Sequence, residues 1–460
     1  MSLPPSWTSA LLLAIPGLPT LAVLSLGIAR WGTGRRASER WVGSIIGSAF
    51  AASAVCSALL GLRLFLGGSD GFEVDLGNWF SVGHYGFTWT LRGDRLSLPF
   101  ALFSSVLVGV IAAFSQRYLH REDGFHRFFL MLAFFGAGVQ LVVLAGSLDL
   151  IFFGWEIVGL ASALLIAFFH DRRGPVENGL RAFVTYRACD VGMLGAAVWL
   201  HHTVGNSSLA PATHSALWPG LAAPTTGGDA LVVALLLLWA SMGKAAQVPL
   251  GGWLPRAMEG PTPSSAIFYG AISIHLGPYL LLRATPILEA APLAAWAVIA
   301  VGATTALHAT FVGRVQTDIK SALAYASMTQ VGLIFVEIGA GLQLLALLHI
   351  VGHASIRSLQ ILRSPSLLHD HQHLEQAMGR QLPRTGGHLE RWVPARLQPW
   401  LYRAALERGY LDSVLVDWVV GSFVRFFRRV DRLERGWTDW LDGSSGARVS
   451  EPSVAQGESR

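Results

Sequence analysis

Long stretches without a charged side chain recur along this chain. They are apolar runs of about 18 residues or more, each long enough to cross a hydrocarbon core of ~30 Å. The composition agrees. Of 460 residues, 52% are apolar and 14% are charged, where a soluble domain carries about 25% charged residues. A soluble chain of this length would divide into roughly three domains of ~150 residues. The apolar runs exclude that arrangement, and with it a soluble enzyme, a disordered chain and a nucleic-acid-binding module. The net charge of +5 is no nucleic-acid signal, because the arginines sit at helix ends and in short connections. Cys56 and Cys189 fall in separate apolar stretches and build neither a disulfide scaffold, nor a thiolate zinc site, nor an iron–sulfur cluster.

The predicted fold is an all-α polytopic membrane protein. Spanning helices are expected at 10–29, 42–67, 96–116, 126–146, 148–169, 177–201, 229–248, 263–283, 291–312, 318–340 and 342–362. A twelfth apolar stretch, 411–428, either crosses the membrane or lies along it. Arg30, Arg35, Arg36 and Arg40 fill one connection, Arg117, Arg121 and Arg127 the next alternate one, and Arg172, Arg173 and Arg181 the one after. Arg256 and Arg314 continue the series, while 68–94 and 202–228 carry Arg92 alone. By the positive-inside rule this places the N-terminus outside the cytoplasm, with helix 1 running inward across a bacterial inner membrane. The first residues lack a basic region, so no cleavable signal is expected. Residues 71–92 alternate apolar and polar side chains and read as a β-hairpin on the outer face. Residues 364–398 read as a polar connector, and 443–460 as a disordered tail.

Ionisable side chains inside a span cost about 2.5–3.5 kcal/mol on insertion scales and mark function by default. Glu156 falls in the fifth span and Arg187 and Asp190 in the sixth. Lys244 lies in the seventh, near a helix break expected at Pro249. Tyr269 and His275 fall in the eighth, and His349, His353 and Arg357 in the eleventh. The last three are spaced i, i+4, i+8 and form one polar stripe. Of the 34 basic residues only Lys244 and Lys320 are lysines. Arg stays charged, whereas a buried Lys can give up its proton. A codon bias toward Arg accounts for the scarcity of Lys but not for its placement.

A carboxylate facing a lysine across helices keeps both charged, and drawing the two apart lets both neutralise. A change of distance then moves a proton, and this is the chemistry expected of Glu156 and Lys244. An inert buried ion pair that sets helix packing explains one such pair as well. It explains a row across five helices less well, because each further buried charge adds a desolvation cost that packing does not recover. A single histidine is more often a packing hydrogen-bonder; the stripe with Arg357 favours a relay. The run His369, Asp370, His371 and His373 has no Cys and no clear fourth ligand, and reads as a solvated interfacial face rather than a metal site. Gly136 and Gly138 lie inside a span with no strand before them and make no dinucleotide fingerprint. No cofactor or metal is expected in this chain.

Several stretches resemble a known family: DRLSLPF (94–100), GWEIVGLASALLIAFF (154–169), YRACD (186–190), GKAAQVPLGGWLPRAMEGPTPSSA (243–266), QTDIKSALAYASMTQVGLIF (316–335) and HIVGHASIR (349–357). The family is that of the antiporter-like membrane subunits of respiratory complex I, above all subunit L, together with the large Mrp cation/proton antiporter subunit. The resemblance covers about 90–363 and, weakly, the extreme C-terminus. It implies an inverted-repeat helix bundle with a broken helix 7. Residues 1–116 would be N-terminal helices carrying the hairpin, 117–290 the first repeat and 291–363 part of a second. Residues 364–442 would be connector and C-terminal helix, before the tail at 443–460. Glu156 and Lys244 would admit protons, tuned by Arg187 and Asp190, and His275, His349 and His353 would carry them along the bundle axis. Tyr269, Pro249 and Lys320 would have gating or structural roles.

Three departures from the family stand out. Arg357 occupies a position where the family usually has Lys. It does not deprotonate and serves only as a fixed charge. Tyr269 stands where the family usually has His, and His275 falls where Mrp-type relatives place Lys. The second repeat reads as unfinished, without a second broken helix, and the long lateral helix is absent or reduced to 399–440. The resemblance implies a proton-conducting subunit of a membrane complex, with no redox chemistry of its own. The partner stays open: a quinone-reducing arm, the zinc-dependent, carbonic-anhydrase-like subunit of a DAB-type inorganic-carbon accumulation system, or the subunits of a Mrp-type Na+/H+ antiporter. The shortened second half favours the inorganic-carbon system. A non-conducting membrane anchor for a soluble enzyme is the reading from another class. The unfinished second repeat and Arg357 favour it; Glu156, Asp190 and Lys244 speak against it.

Overall fold

Helix boundaries follow the apolar runs, since each run satisfies its own backbone hydrogen bonds only as a helix once it leaves water. The computed structural model describes residues 5–33, 37–67, 71–83, 85–208, 225–378 and 393–441. Helices α1 (Pro5–Thr33) and α2 (Glu39–Gly67) lead into strands β1 (Phe72–Val82) and β2 (Tyr85–Gly93). Then come α3 (Ser97–Tyr118), α4 (Phe125–Leu144), α5 (Leu148–Ile166), α6 (Arg173–Val204) and α7 (Gly227–Lys244). They are followed by α8 (Thr262–Arg283), and by α9 (Pro292–Gly313), α10 (Ile319–Gly339), α11 (Gln343–Met378) and α12 (Gln398–Leu406). Among the described residues, 10 helices are long and apolar enough to cross a membrane: α1 to α5 and α7 to α11. The more polar α6 packs between α5 and α7.

Successive spans alternate in direction, so the even-to-odd connections share one face of the bundle. The hairpin holds that face together. β1 pairs antiparallel with β2 from Phe72↔Gly93 to Val82↔Tyr85, and Gly83 takes the positive φ (62°) that a tight turn requires. Leu91 bridges Ala145 in the α4–α5 connection, and Ser147 bridges Ser208 beyond α6. At the base of the hairpin, Asp94 accepts from the backbone N–H of Ser97 at 2.8 Å and so caps α3. The same carboxylate is paired with Arg283 at the end of α8 and with Arg92 at 3.3 Å. A second buried knot joins the same connections. Asp149 pairs with His201 at 2.9 Å and accepts from the Ser207 hydroxyl at 2.5 Å.

Three elements differ from the sequence expectation. Helix α7 stops at Lys244, five residues before Pro249. The stop is a Schellman turn: Gln247 N–H reaches the Met242 carbonyl at 2.9 Å, Ala246 N–H reaches the Gly243 carbonyl at 3.4 Å, and Ala246 takes φ 52°. The Trp253 indole N–H closes the Gly243 carbonyl at 3.1 Å. Helix α11 runs on to Met378 instead of ending near 362. Its polar extension, 363–378, holds three Leu, two Gln, one Glu, one Ala and one Met beside three His and Pro365, and a polar surface does not by itself end a helix. The stretch 411–428 is divided among a turn of helix Leu411–Val414, a π turn Leu415–Val420 and helix α13 (Gly421–Leu441). It belongs to a separate compact unit that begins at Glu407. Helix α13 carries exposed Phe423, Phe426, Phe427, Val430 and Trp437. Arg35, Arg36 and the tail at 443–460 lie outside the described residues, as do the side chains of Arg30, Tyr269, His369, Asp370, His371 and His373.

Glycine sets the closest helix approach. A Cβ on Gly302 of α9 would lie 2.4 Å from the Gly332 carbonyl of α10, and one on Gly332 would lie 2.6 Å from the Gly302 carbonyl. Small residues let helix backbones meet in this way inside a bilayer. Gly302→Ala is expected to lower the thermal stability of the solubilised protein by about 1–3 kcal/mol, the scale of overpacking. Gly47→Ala meets nothing within 4 Å and is expected to leave stability unchanged. Equal melting temperatures for the two variants would refute this account of the α9–α10 contact.

Candidate functional site

Neighbouring residues of a helix point about 100° apart, so Trp155 and Glu156 of α5 face different partners. The Glu156 carboxylate pairs with the Arg187 guanidinium of α6. Arg187 and Asp190 are i, i+3 on one face, and Arg187 Nη2 donates to Asp190 Oδ2 at 2.8 Å. Asp190 is buried and its other oxygen accepts from the Trp155 indole N–H at 2.6 Å. Lys244 ends α7 fully buried, and its Nζ donates to the Trp155 carbonyl at 3.1 Å. The ammonium also lies over two aromatic faces, 4.8 Å from the Trp155 ring and 4.6 Å from the Tyr186 ring, a favourable site for a desolvated cation.

Bare backbone positions make room for these groups. A Cβ on Gly159 would lie 3.0 Å from Lys244 Nζ and 3.1 Å from Arg187 Nη2, so both cationic heads crowd one spot on α5. A Cβ on Gly243 would strike the Cys189 Cβ at 2.4 Å; that close α6–α7 approach brings Lys244 beside α6. The expected direct pair of Glu156 with Lys244 is therefore replaced by a longer connection. Glu156 pairs with Arg187, Arg187 with Asp190, Asp190 with the Trp155 indole, and the Trp155 carbonyl with Lys244.

A second cluster lies on α8, α10 and α11. Helix α8 is interrupted by a π turn, Ala266–Ala271, and a 3-10 turn, Ser273–His275. The interruption leaves the Ala271 carbonyl to the His275 Nδ1. His275 Nε2 meets His353 Nδ1 at 3.0 Å, and Arg357 Nε reaches His353 Nε2 at 3.5 Å. An Arg N–H only donates. That fixes one consistent pattern for neutral rings: Arg357 donates to His353, His353 to His275, and His275 to the Ala271 carbonyl. His349 lies one turn from His353, with ring centroids 6.4 Å apart. Its Nδ1 meets Glu337 Oε1 at 2.8 Å and its Nε2 meets Gln330 Oε1 at 3.0 Å.

On α7, in the turn after it and on α8, three buried polar atoms have no protein partner: Ser241 Oγ, Gln247 Oε1 and Ser273 Oγ. Groups of this kind are normally satisfied by ordered water.

The structure thus gathers Glu156, Arg187, Asp190 and Lys244 into one cluster and His275, His349, His353 and Arg357 into another. Tyr269 lies in the π turn of α8, and Pro249 sits beyond α7 at the start of a 3-10 turn, Leu250–Gly252. Lys320 occupies the first turn of α10, where Asp318 caps the helix by accepting from Ser321 N–H at 2.7 Å. It is at the opposite end of α10 from Glu337. Sequence reading missed Trp155, Tyr186, Gln330 and Glu337. The two aromatics look like ordinary lining of an apolar helix. Glu337 lies two residues from the end of its span, where a carboxylate looks solvated.

Comparison with known proteins identifies the family and the fold. A family model described as "NADH:quinone oxidoreductase/Mrp antiporter, TM" matches residues 145–382. A second, described as "NADH-Ubiquinone oxidoreductase (complex I), chain 5 N-terminus", matches residues 79–129. The chain belongs to this family of antiporter-like polytopic membrane proteins. NADH-quinone oxidoreductase subunit L of Escherichia coli (strain K12) is 36% identical over 343 residues, covering 72% of this chain and 54% of the relative. The subunit L of Rhodobacter capsulatus is 34% identical over 335 residues, covering 70% and 46%. The chain spans about half the length of these relatives. Among solved structures, the Mrp complex from Dietzia sp. DQ12-45-1b superposes with a TM-score of 0.64 at 24% identity, over 77% of this chain and 37% of that one. The two share a fold.

The burial of Asp190 has a measurable consequence. Asp190→Ala leaves the buried Trp155 N–H without its acceptor and Arg187 with Glu156 alone, and an unsatisfied buried donor costs about 1–3 kcal/mol. A clear drop in the melting temperature of the purified protein is expected. Glu156→Gln alters a side chain that is 25% exposed and is expected to shift it much less. Equal shifts would count against Asp190 as the centre of the cluster.

Proposed function

We propose that this chain is the proton-conducting membrane subunit of a larger complex in a bacterial inner membrane, with its N-terminus outside the cytoplasm. The relatives in the comparison are named as a subunit of NADH-quinone oxidoreductase and as part of a Mrp complex. The observation that carries the reading is Lys244, fully buried at the end of α7 and connected through Trp155 and Asp190 to Arg187 and Glu156. A buried ammonium held by a carbonyl and two rings, rather than locked onto a carboxylate, is a group whose proton is free to be exchanged as its surroundings change.

Protons would enter at Glu156, reach Lys244 through the Asp190 cluster, and pass by water along Ser241, Gln247 and Ser273 to His275 and His353. This chain's part is to hold and hand on protons; the driving reaction belongs to the partner. Helix dipoles and the fixed charge of Arg357 order that path without giving up a proton of their own.

The test is proton flux into proteoliposomes under an imposed potential. Lys244→Ala is expected to lower flux by on the order of 100-fold, the scale of losing one positioned proton carrier. Flux at the wild-type level would end the reading and leave the chain as a non-conducting anchor. Arg357→Lys is expected to conduct better than Arg357→Ala, because the site uses a positive charge. Equal flux would remove that role for Arg357. The partner is read from what co-purifies: a quinone-reducing arm, a zinc-dependent, carbonic-anhydrase-like subunit, or a set of Mrp-type subunits.

A further inference from the structure

The polar stripe of α11 does not stop at its histidines. Arg357 is its last member along the chain, and His349 lies two turns closer to the α10–α11 connection, where Ala340, Gly341 and Leu342 are exposed. Glu337 stands in the last turn of α10, between His349 and that connection. Gln330 and Glu337 are i, i+7 on α10 and so share a face.

The two ring nitrogens of His349 both meet oxygens, Glu337 Oε1 at 2.8 Å and Gln330 Oε1 at 3.0 Å. An imidazolium donates to both. When the ring is neutral, the Gln330 amide can turn to offer its NH2 to the bare nitrogen. His349 is therefore hydrogen-bonded in either protonation state, as a site that is loaded and emptied must be. The second carboxylate oxygen, Glu337 Oε2, is buried with no protein partner.

At the other end of the stripe, Arg357 donates to His353 and has no proton to release. A proton on His353 can leave toward His275 or, once His349 Nε2 turns from Gln330 to a bridging water, toward His349, whose ring centroid is 6.4 Å away.

We propose that Glu337 is a proton-binding site that empties the α11 histidines toward the membrane face formed by the α10–α11 connection, so that the path turns aside before Arg357. In this step the His349 Nδ1–H bond breaks as an O–H bond forms on Glu337 Oε1. The imidazolium becomes neutral imidazole and the carboxylate a carboxylic acid. The proton then leaves the carboxyl group for water at that face. The proposal rests on the proton-conducting reading above and adds to it the residue that releases the proton.

The experiment compares Glu337→Gln, Glu337→Asp, Lys244→Ala and wild type for proton flux in proteoliposomes, with melting temperature measured on each. Glu337→Gln keeps the shape and a hydrogen-bonding oxygen for His349 but binds no proton, so flux is expected to fall by on the order of 100-fold at near wild-type stability. Glu337→Asp is expected to conduct at an intermediate rate. A structural pin between α10 and α11 would instead lower stability and leave flux per folded molecule intact, and that result overturns the proposal. Wild-type flux from Glu337→Gln alongside a dead Lys244→Ala also overturns it, while the proton-conducting reading survives. Wild-type flux from both removes that reading too. Where Glu337→Gln does not fold, Glu337→Asp decides: its carboxylate is drawn back from His349, and undiminished flux overturns the proposal.

Discussion

Every charge inside this bundle has to be compensated inside the bundle, because hydrocarbon offers no hydrogen bonds and no counterions. The rest of the structure answers that constraint in two ways. On the face that carries the hairpin, each buried carboxylate is held by several donors. Asp94 is held by Arg92, Arg283 and two backbone N–H groups, and Asp149 by His201 and Ser207. Such knots fix how connections sit. At the relay residues the compensation is partial. Lys244 is held by a carbonyl and two rings, and Glu156 and Glu337 each keep a buried oxygen without a protein partner. Partial compensation is what allows a group to change its protonation state without unfolding its surroundings.

The helix interruptions serve the same end. α7 stops at Lys244 instead of carrying it mid-helix, which frees the ammonium from the regular side-chain lattice and lets it reach back to the Trp155 carbonyl of α5. α8 changes to π and 3-10 geometry just before His275, and the displaced Ala271 carbonyl becomes the partner of that histidine. In both places irregular backbone at membrane depth is tolerated because it is enclosed by protein. The polar atoms that it exposes become part of the site. Arg357 closes the row: as an obligate donor it sets which nitrogen of His353, and in turn of His275, carries the hydrogen.

Much of the fold was legible in the residues. The apolar runs mark most spans, the alternation at 71–92 marks the hairpin, and ionisable residues stranded in those runs mark Glu156, Arg187, Asp190, Lys244, His275, His349, His353 and Arg357. Where reading failed, it failed for a physical reason. Hydropathy reports on the solvent around a segment, not on its secondary structure, so α11 seemed to end where it leaves the apolar run and in fact continues to Met378. Pro249 looked like the breaker of α7, but the turn is made earlier by Ala246 in a left-handed conformation, which side-chain identity alone does not announce. Glu337 lay too near the end of a span to look half-buried.

What the amino-acid order determined by itself is which segments must leave water and which of them carry a charge that lipid will not tolerate. Those are properties of single residues and their spacing. Who answers each charge was decided only by tertiary packing. Glu156 is matched by Arg187 rather than Lys244, Lys244 by the backbone of the residue beside Glu156, and His349 by a glutamate from the neighbouring helix. Such pairings depend on the rotation and depth of one helix against another. Bare positions such as Gly159 and Gly243 control that fit, and a sequence pattern leaves it open because lipid-facing and partner-facing residues in a membrane are equally apolar.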